Sequence, residues 1–144
     1  LEAEKIKLLT PTEIQKLSSP DCNIEDMEIN IPNKEIKIKT SSAILSIDNG
    51  TQLKTCKITI KNWESIKLAF YYMEIKRWIN SDINEIEKLT GIGEFEFGEE
   101  IIFWGFGAKT DQWTQITISD AFLIVECDYT EDFLNTKEFY CNYQ

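Results

Sequence analysis

Apolar residues recur at every second position through much of this chain, and that period limits its fold more than any other feature. Glu35-Ile36-Lys37-Ile38-Lys39 alternates charge with isoleucine. A strand sends successive side chains to opposite faces, so Ile36 and Ile38 share one face and the charges share the other. Leu53 to Lys61 repeats the pattern with Cys56, Ile58 and Ile60 on one face. Thr114, Ile116 and Ile118 do the same within Gln112 to Ile118, and Ala121 to Asp128 alternates as well. Ala43-Ile44-Leu45-Ser46-Ile47 is a further strand candidate. Asp48-Asn49-Gly50-Thr51 is the clearest turn, because Asn and Gly tolerate the positive φ angles of a tight hairpin. Ser119-Asp120 marks another. Glu94 to Phe106 reads as one or two strands broken near Gly98.

Helix signals are few. Thr10-Pro11-Thr12-Glu13 places a hydroxyl at a cap, proline at the first helical position and Glu three residues after the cap, with Ile14 and Leu17 facing inward. Ser18-Ser19-Pro20-Asp21 ends that helix. Asp82-Ile83-Asn84-Glu85 resembles a second cap, opening a helix through Leu89 that Gly91 and Gly93 stop. Residues 63–79 fit both periods: Ile66, Leu68 and Phe70 alternate, while Trp63, Ile66, Phe70, Met73 and Arg77 suit a helix. The β-branched and aromatic content tips the reading toward strand. The expected fold is α+β and β-rich: an antiparallel meander or small sandwich of roughly six to eight strands with about one to three short helices.

Residues 1–144 are expected to form a single domain, with 1–25 an N-terminal helical segment and 129–144 a C-terminal helix or tail. No apolar run approaches the roughly 20 residues that a helix needs to cross a bilayer. Leu1-Glu2-Ala3-Glu4-Lys5 does not read as a secretory leader. Cys22, Cys56, Cys127 and Cys141 are widely spaced and form no C-x-x-C. Reduced thiols in a cytoplasmic protein are the expectation, with Cys56 and Cys127 in the core.

Charge narrows the function. Fifteen Lys and Arg face 25 Asp and Glu, for a net charge of −10. Such a field repels nucleic-acid phosphates and anionic membranes, and it speeds encounter with a basic protein. The chain has no histidine, which removes the usual general base and every Ser-His-Asp or Cys-His device. It carries no P-loop or nucleophile elbow, and Gly105-Phe106-Gly107 lacks the third glycine of a dinucleotide fingerprint. No catalytic residue, cofactor or metal site is expected. Glu94, Glu96, Glu99 and Glu100 form an acidic cluster, but Glu94 and Glu96 alternate with Phe95 and Phe97 as solvated residues on a half-buried strand do. Asn49-Gly50-Thr51 matches a glycosylation acceptor, although the turn already accounts for it. Trp63, Trp104 and Trp113 are expected in the core. Trp78, between Lys76-Arg77 and Asn80-Ser81, is the expected exception.

Gly105-Phe106-Gly107-Ala108-Lys109-Thr110-Asp111-Gln112-Trp113 resembles a segment of small bacterial domains in which a strand ends in G-F-G and Gln-Trp opens the next. Ile60-Lys61-Asn62-Trp63 and the Ala121 to Asp128 strand are similar too. Asp111 stands where that pattern has glycine. The resemblance implies an immunity protein or other accessory protein of a bacterial toxin system. The expected function is therefore a non-enzymatic acidic inhibitor that binds a basic toxin directly. Glu94, Glu96, Glu99 and Glu100 would be its rim and Trp78 its anchor. Two alternatives remain: a phage or defence-system inhibitor that mimics nucleic acid, and a carbohydrate-binding module using exposed Trp.

Overall fold

A computed structural model describes residues 4–8, 11–18, 22–45 and 51–130. Its strands are β1 (Glu4–Leu8), β2 (Leu17–Ser18), β3 (Cys22–Asn30), β4 (Glu35–Leu45), β5 (Thr51–Lys61), β6 (Ser65–Tyr72), β7 (Arg77–Ser81), β8 (Leu89–Phe97), β9 (Glu100–Gly107), β10 (Trp113–Ser119) and β11 (Phe122–Thr130). The β-rich antiparallel expectation holds. The strand count does not, since eleven strands form one connected sheet. Helix is correspondingly scarce among the described residues: α1 (Pro11–Gln15) and a 3-10 turn at Ile83–Glu85. None of these helices is long and apolar enough to cross a membrane.

Three local expectations are corrected. Among the described residues within 1–25 only α1 is helical, and Glu4–Leu8 is a strand paired with β11. The Asp82 carboxylate does cap, accepting from the Asn84 amide at 2.8 Å, but the helix ends after one 3-10 turn instead of reaching Leu89. Gly91 and Gly93 lie inside β8 and stop no helix. Residues 48–50 of the expected hairpin turn and the segment after Thr130, with Cys141, fall outside the described residues, and Thr51 opens β5.

The strand order is β1-β11-β5-β4-β3-β8-β9-β10-β6-β7, with β2 on β4. Ile36, Ile58, Ile60 and Val125 from one end of this path are fully buried, as are Ile116 and Ile118 from the other, and all belong to one apolar cluster. A flat sheet leaves one face wet, and a five-residue helix cannot cover ten strands. Residues from both ends of the strand order therefore share one core. Burying each isoleucine contributes about 2 kcal/mol.

The two halves of the strand order meet at β8. Leu89 and Thr90 pair with Gly107 and Phe106, and Glu94 to Phe97 pair with Trp104 to Ile101. Between them Gly91, Ile92 and Gly93 leave β9 and pair with Ile24, Asn23 and Cys22 of β3. This bulge lets one strand belong to both halves. Glycine is required at the bulge. Gly91 has φ 74°, and a Cβ on Gly93 would stand 2.6 Å from Ile24 Cδ1 and from the Trp104 carbonyl oxygen.

Residues 63–79, ambiguous in sequence, form the β6–β7 hairpin after Trp63, which is buried. Lys76 closes its turn with φ 53°. Lys34, Asn62, Asp111 and Asp120 adopt the same left-handed conformation at the ends of other connections. Asn and Asp tolerate it, whereas for lysine it costs about 1 kcal/mol.

Candidate functional site

The half built from β8, β9, β10, β6 and β7 turns alternate residues outward. On β9 and β10 the inward residues Ile101, Phe103, Thr114, Ile116 and Ile118 are buried. Their neighbours Phe106 and Trp113 therefore point out, directly opposite each other in the register. Thr114 pairs with Phe70, so Trp113 stands beside Tyr71, and Tyr71 pairs with Trp78. The result is a row of four aromatic side chains, Phe106, Trp113, Tyr71 and Trp78, across four adjacent strands. At about 5 Å per strand the row runs roughly 15 Å.

The rings touch in pairs. Phe106 and Trp113 have centroids 4.8 Å apart and tilted by 59°. Tyr71 and Trp78 are 5.3 Å apart and edge-on at 62°. Trp113 and Tyr71 are half-buried, while Phe106 and Trp78 at the ends are each 39% exposed. Next to the row, the Trp104 indole donates to Gln115 Oε1 at 3.0 Å. The β6–β7 turn continues the apolar surface with Met73, 75% exposed, and Ile75. An exposed patch of this kind marks an interaction surface more often than an isolated surface Leu does.

The loop from β9 to β10 is held in place beside the row. Glu87 accepts from the Lys109 amide at 2.6 Å, the Thr110 amide at 3.2 Å and the Thr110 hydroxyl at 2.7 Å. Burial acts to raise the Glu87 pKa. The Thr110 hydroxyl, the two amides and the Lys109 ammonium outweigh it, so the carboxyl sits below its ordinary value. The carboxylate lies where a Cβ on Gly107 would be, 2.6 Å from Glu87 Cδ, which accounts for the last glycine of G-F-G. Asp111, standing where the resembled pattern has glycine, takes φ 57°, the conformation glycine supplies freely. Across the loop, Gln112 Nε2 donates to the Tyr71 carbonyl at 2.7 Å.

Of the site residues expected from sequence, Trp78 is on the row. Glu94 and Glu96 face out on β8, four strands away at the other edge of the same half. Glu99 lies in the β8–β9 turn, and Glu100 accepts from the Ser119 hydroxyl at 2.8 Å. The acidic cluster and the proposed anchor therefore share a face but are not adjacent. Phe106, Trp113 and Tyr71 were not singled out as surface residues. Counting outward from the Asp111 loop would have paired Phe106 with Trp113, but joining them to Tyr71 and Trp78 needs the β6–β10 register. Cys22, Cys56 and Cys127 are buried, and the sulfurs of Cys56 and Cys127 lie 2.8 Å apart across β5 and β11. Among the described residues no group of three or more Cys, Asp or Glu is arranged to hold a metal ion.

Comparison with known proteins finds no matching family, no matching curated sequence and no matching solved structure. What characterises the chain is its own architecture: one connected antiparallel sheet, with two aromatic pairs lined up across four adjacent strands.

Proposed function

We propose that this chain is a non-enzymatic binding protein that docks a basic protein partner on the aromatic face of β9, β10, β6 and β7. The row Phe106, Trp113, Tyr71 and Trp78 carries the reading. Large, stiff aromatic side chains lose little entropy on binding and dominate interface energies. The net charge of −10 favours a basic partner by steering, and Glu94, Glu96, Glu99 and Glu100 extend the acidic field along the far edge of the face. Ring tilts of 59° and 62° favour a protein over a sugar, because a sugar ring stacks best on a flat platform. Together with the resemblance of the Gly105 to Trp113 segment to immunity domains, this points to a cytoplasmic inhibitor that covers a basic toxin.

The test is capture from the native source at low and moderate salt, with the wild-type protein and Trp78→Ala as paired baits. A basic protein held by the wild type, released by salt and retained at least tenfold less by Trp78→Ala is the expected result, as for loss of an aromatic anchor. Equal retention by the two baits, or no basic protein on either, rejects the reading.

A further inference from the structure

One end of the aromatic row opens into a groove of about 720 Å³ between the β6–β7 turn and the β9–β10 loop. Tyr71, Tyr72, Phe106 and Trp113 line it, with Glu74 from one connection and Asp111 from the other. Both carboxylates are exposed, and no lysine or arginine lines the groove. Among the described residues no side-chain hydrogen bond or ion pair occupies either carboxylate. The groove is also preformed. The Gln112 side chain ties its loop to Tyr71, and Glu87 pins the same loop from behind. A rigid site loses less entropy when it is filled.

Aromatic faces carry negative potential, and a cation placed over them is attracted by it. Carboxylates flanking such a wall strengthen the attraction and set the sign of the guest. A guanidinium suits these walls better than an ammonium, because it is planar, weakly hydrated and able to stack on a ring while its N–H groups fork to a carboxylate. We propose that this groove receives an arginine side chain of the basic partner, with the aromatic wall stacking the guanidinium and Asp111 and Glu74 as its counter-charges. The proposal rests on the binding function above and names the place where the partner's positive charge is read.

Octa-arginine and octa-lysine are the probes, titrated into isotope-labelled protein and followed by NMR. Octa-arginine is expected to shift the Trp113 indole and the Asp111 and Gln112 amides, and to bind about fivefold more tightly than octa-lysine. Asp111→Asn keeps a residue that tolerates the left-handed conformation, and it is expected to weaken octa-arginine about fivefold. Glu28→Gln removes the same charge from an exposed position on β3, in the other half of the sheet, and is expected to change binding less than about twofold. Equal losses in the two variants, equal binding of the two peptides, shifts confined to other surfaces or no binding at all each overturn the proposal. The captured partner separates the two readings. If it shifts Trp78 but leaves Trp113, Asp111 and Gln112 unchanged, the groove assignment falls and the docking face stands. If it shifts neither, both fall.

Discussion

The two outward faces of this sheet obey the same alternation and differ in what they present at their centres. On the half built from β3, β4, β5 and β11, Asp26 pairs with Lys39, Lys39 with Lys57, and Lys57 with Glu126. One step along, Glu28 pairs with Lys37. Carboxylates and ammonium groups interleave there, and Glu25 adds an ion pair to Lys39 at 3.9 Å. On the other half the corresponding positions carry Phe106, Trp113, Tyr71 and Trp78. A balanced, hydrated face has little to gain from a partner, since each contact must displace water from a charge. The aromatic face keeps apolar surface in water that a partner would cover. Position in the strand decides only that a side chain points out, and the chemistry at that position decides whether the face is a coat or a binding surface.

The largest expected effect tests whether the two faces share one core. Ile58→Ala and Ile116→Ala, one behind each face, should each lower stability by about 3 kcal/mol in denaturant titrations. Both should unfold in a single transition. Two separate transitions would mean that the halves are independent bodies.

Glu87 tests what holds the aromatic end in shape. Glu87→Gln should cost about 1 to 2 kcal/mol and speed hydrogen exchange at the Lys109 and Thr110 amides. The folded carboxyl lies below its ordinary value of 4.5, so its contribution is fully present above that value. It is lost as pH falls through the folded pKa. The stability gap between wild type and Glu87→Gln should therefore be constant near neutrality and close at acid pH. A gap that widens on acidification would reverse the assigned sign.

A smaller effect concerns the turn that carries Met73 and Ile75. Lys76→Gly should raise stability by about 0.5 kcal/mol, as relief from the left-handed conformation exceeds glycine's entropy cost. A lower melting temperature would contradict the φ of 53°. The smallest effect belongs to the charged face. Lys39→Ala should change stability by less than about 0.5 kcal/mol and leave partner capture unaltered. A large loss of capture there would move the docking surface to the opposite half.

Much of the fold was legible because burial and period agree. Ile36, Ile38, Cys56, Ile58, Ile60, Ile116 and Ile118 all alternate in sequence, and all are buried. The Gly98 and Asp120 turns were visible for the same reason, since each breaks an alternating run with a residue suited to reversing the chain. The β6–β7 hairpin was harder to see. Its turn is closed by Lys76, so neither glycine nor proline marks the reversal between two aromatic runs. The bulge in β8 was misread, because glycines that let a strand cross between two partners look the same in sequence as glycines that stop a helix. The candidate site was legible only as single residues. Trp78 stood out by its polar neighbours, while Trp113 read as core because nothing local distinguishes an outward tryptophan from an inward one.

By itself, the sequence determined the β period, the inward set of isoleucines, the acidic field and the lack of histidine chemistry. Each of these is local or additive, and is read from neighbours or from a sum. Only the tertiary structure decided that β8 joins the two halves and that both contribute to one core. It alone brought residues 71, 78, 106 and 113 into one row. The reason is register. A shift of a single residue between β6 and β10 would put Tyr71 and Trp78 on the opposite face from Phe106 and Trp113, and only the packing of the whole buried face holds the shift at zero.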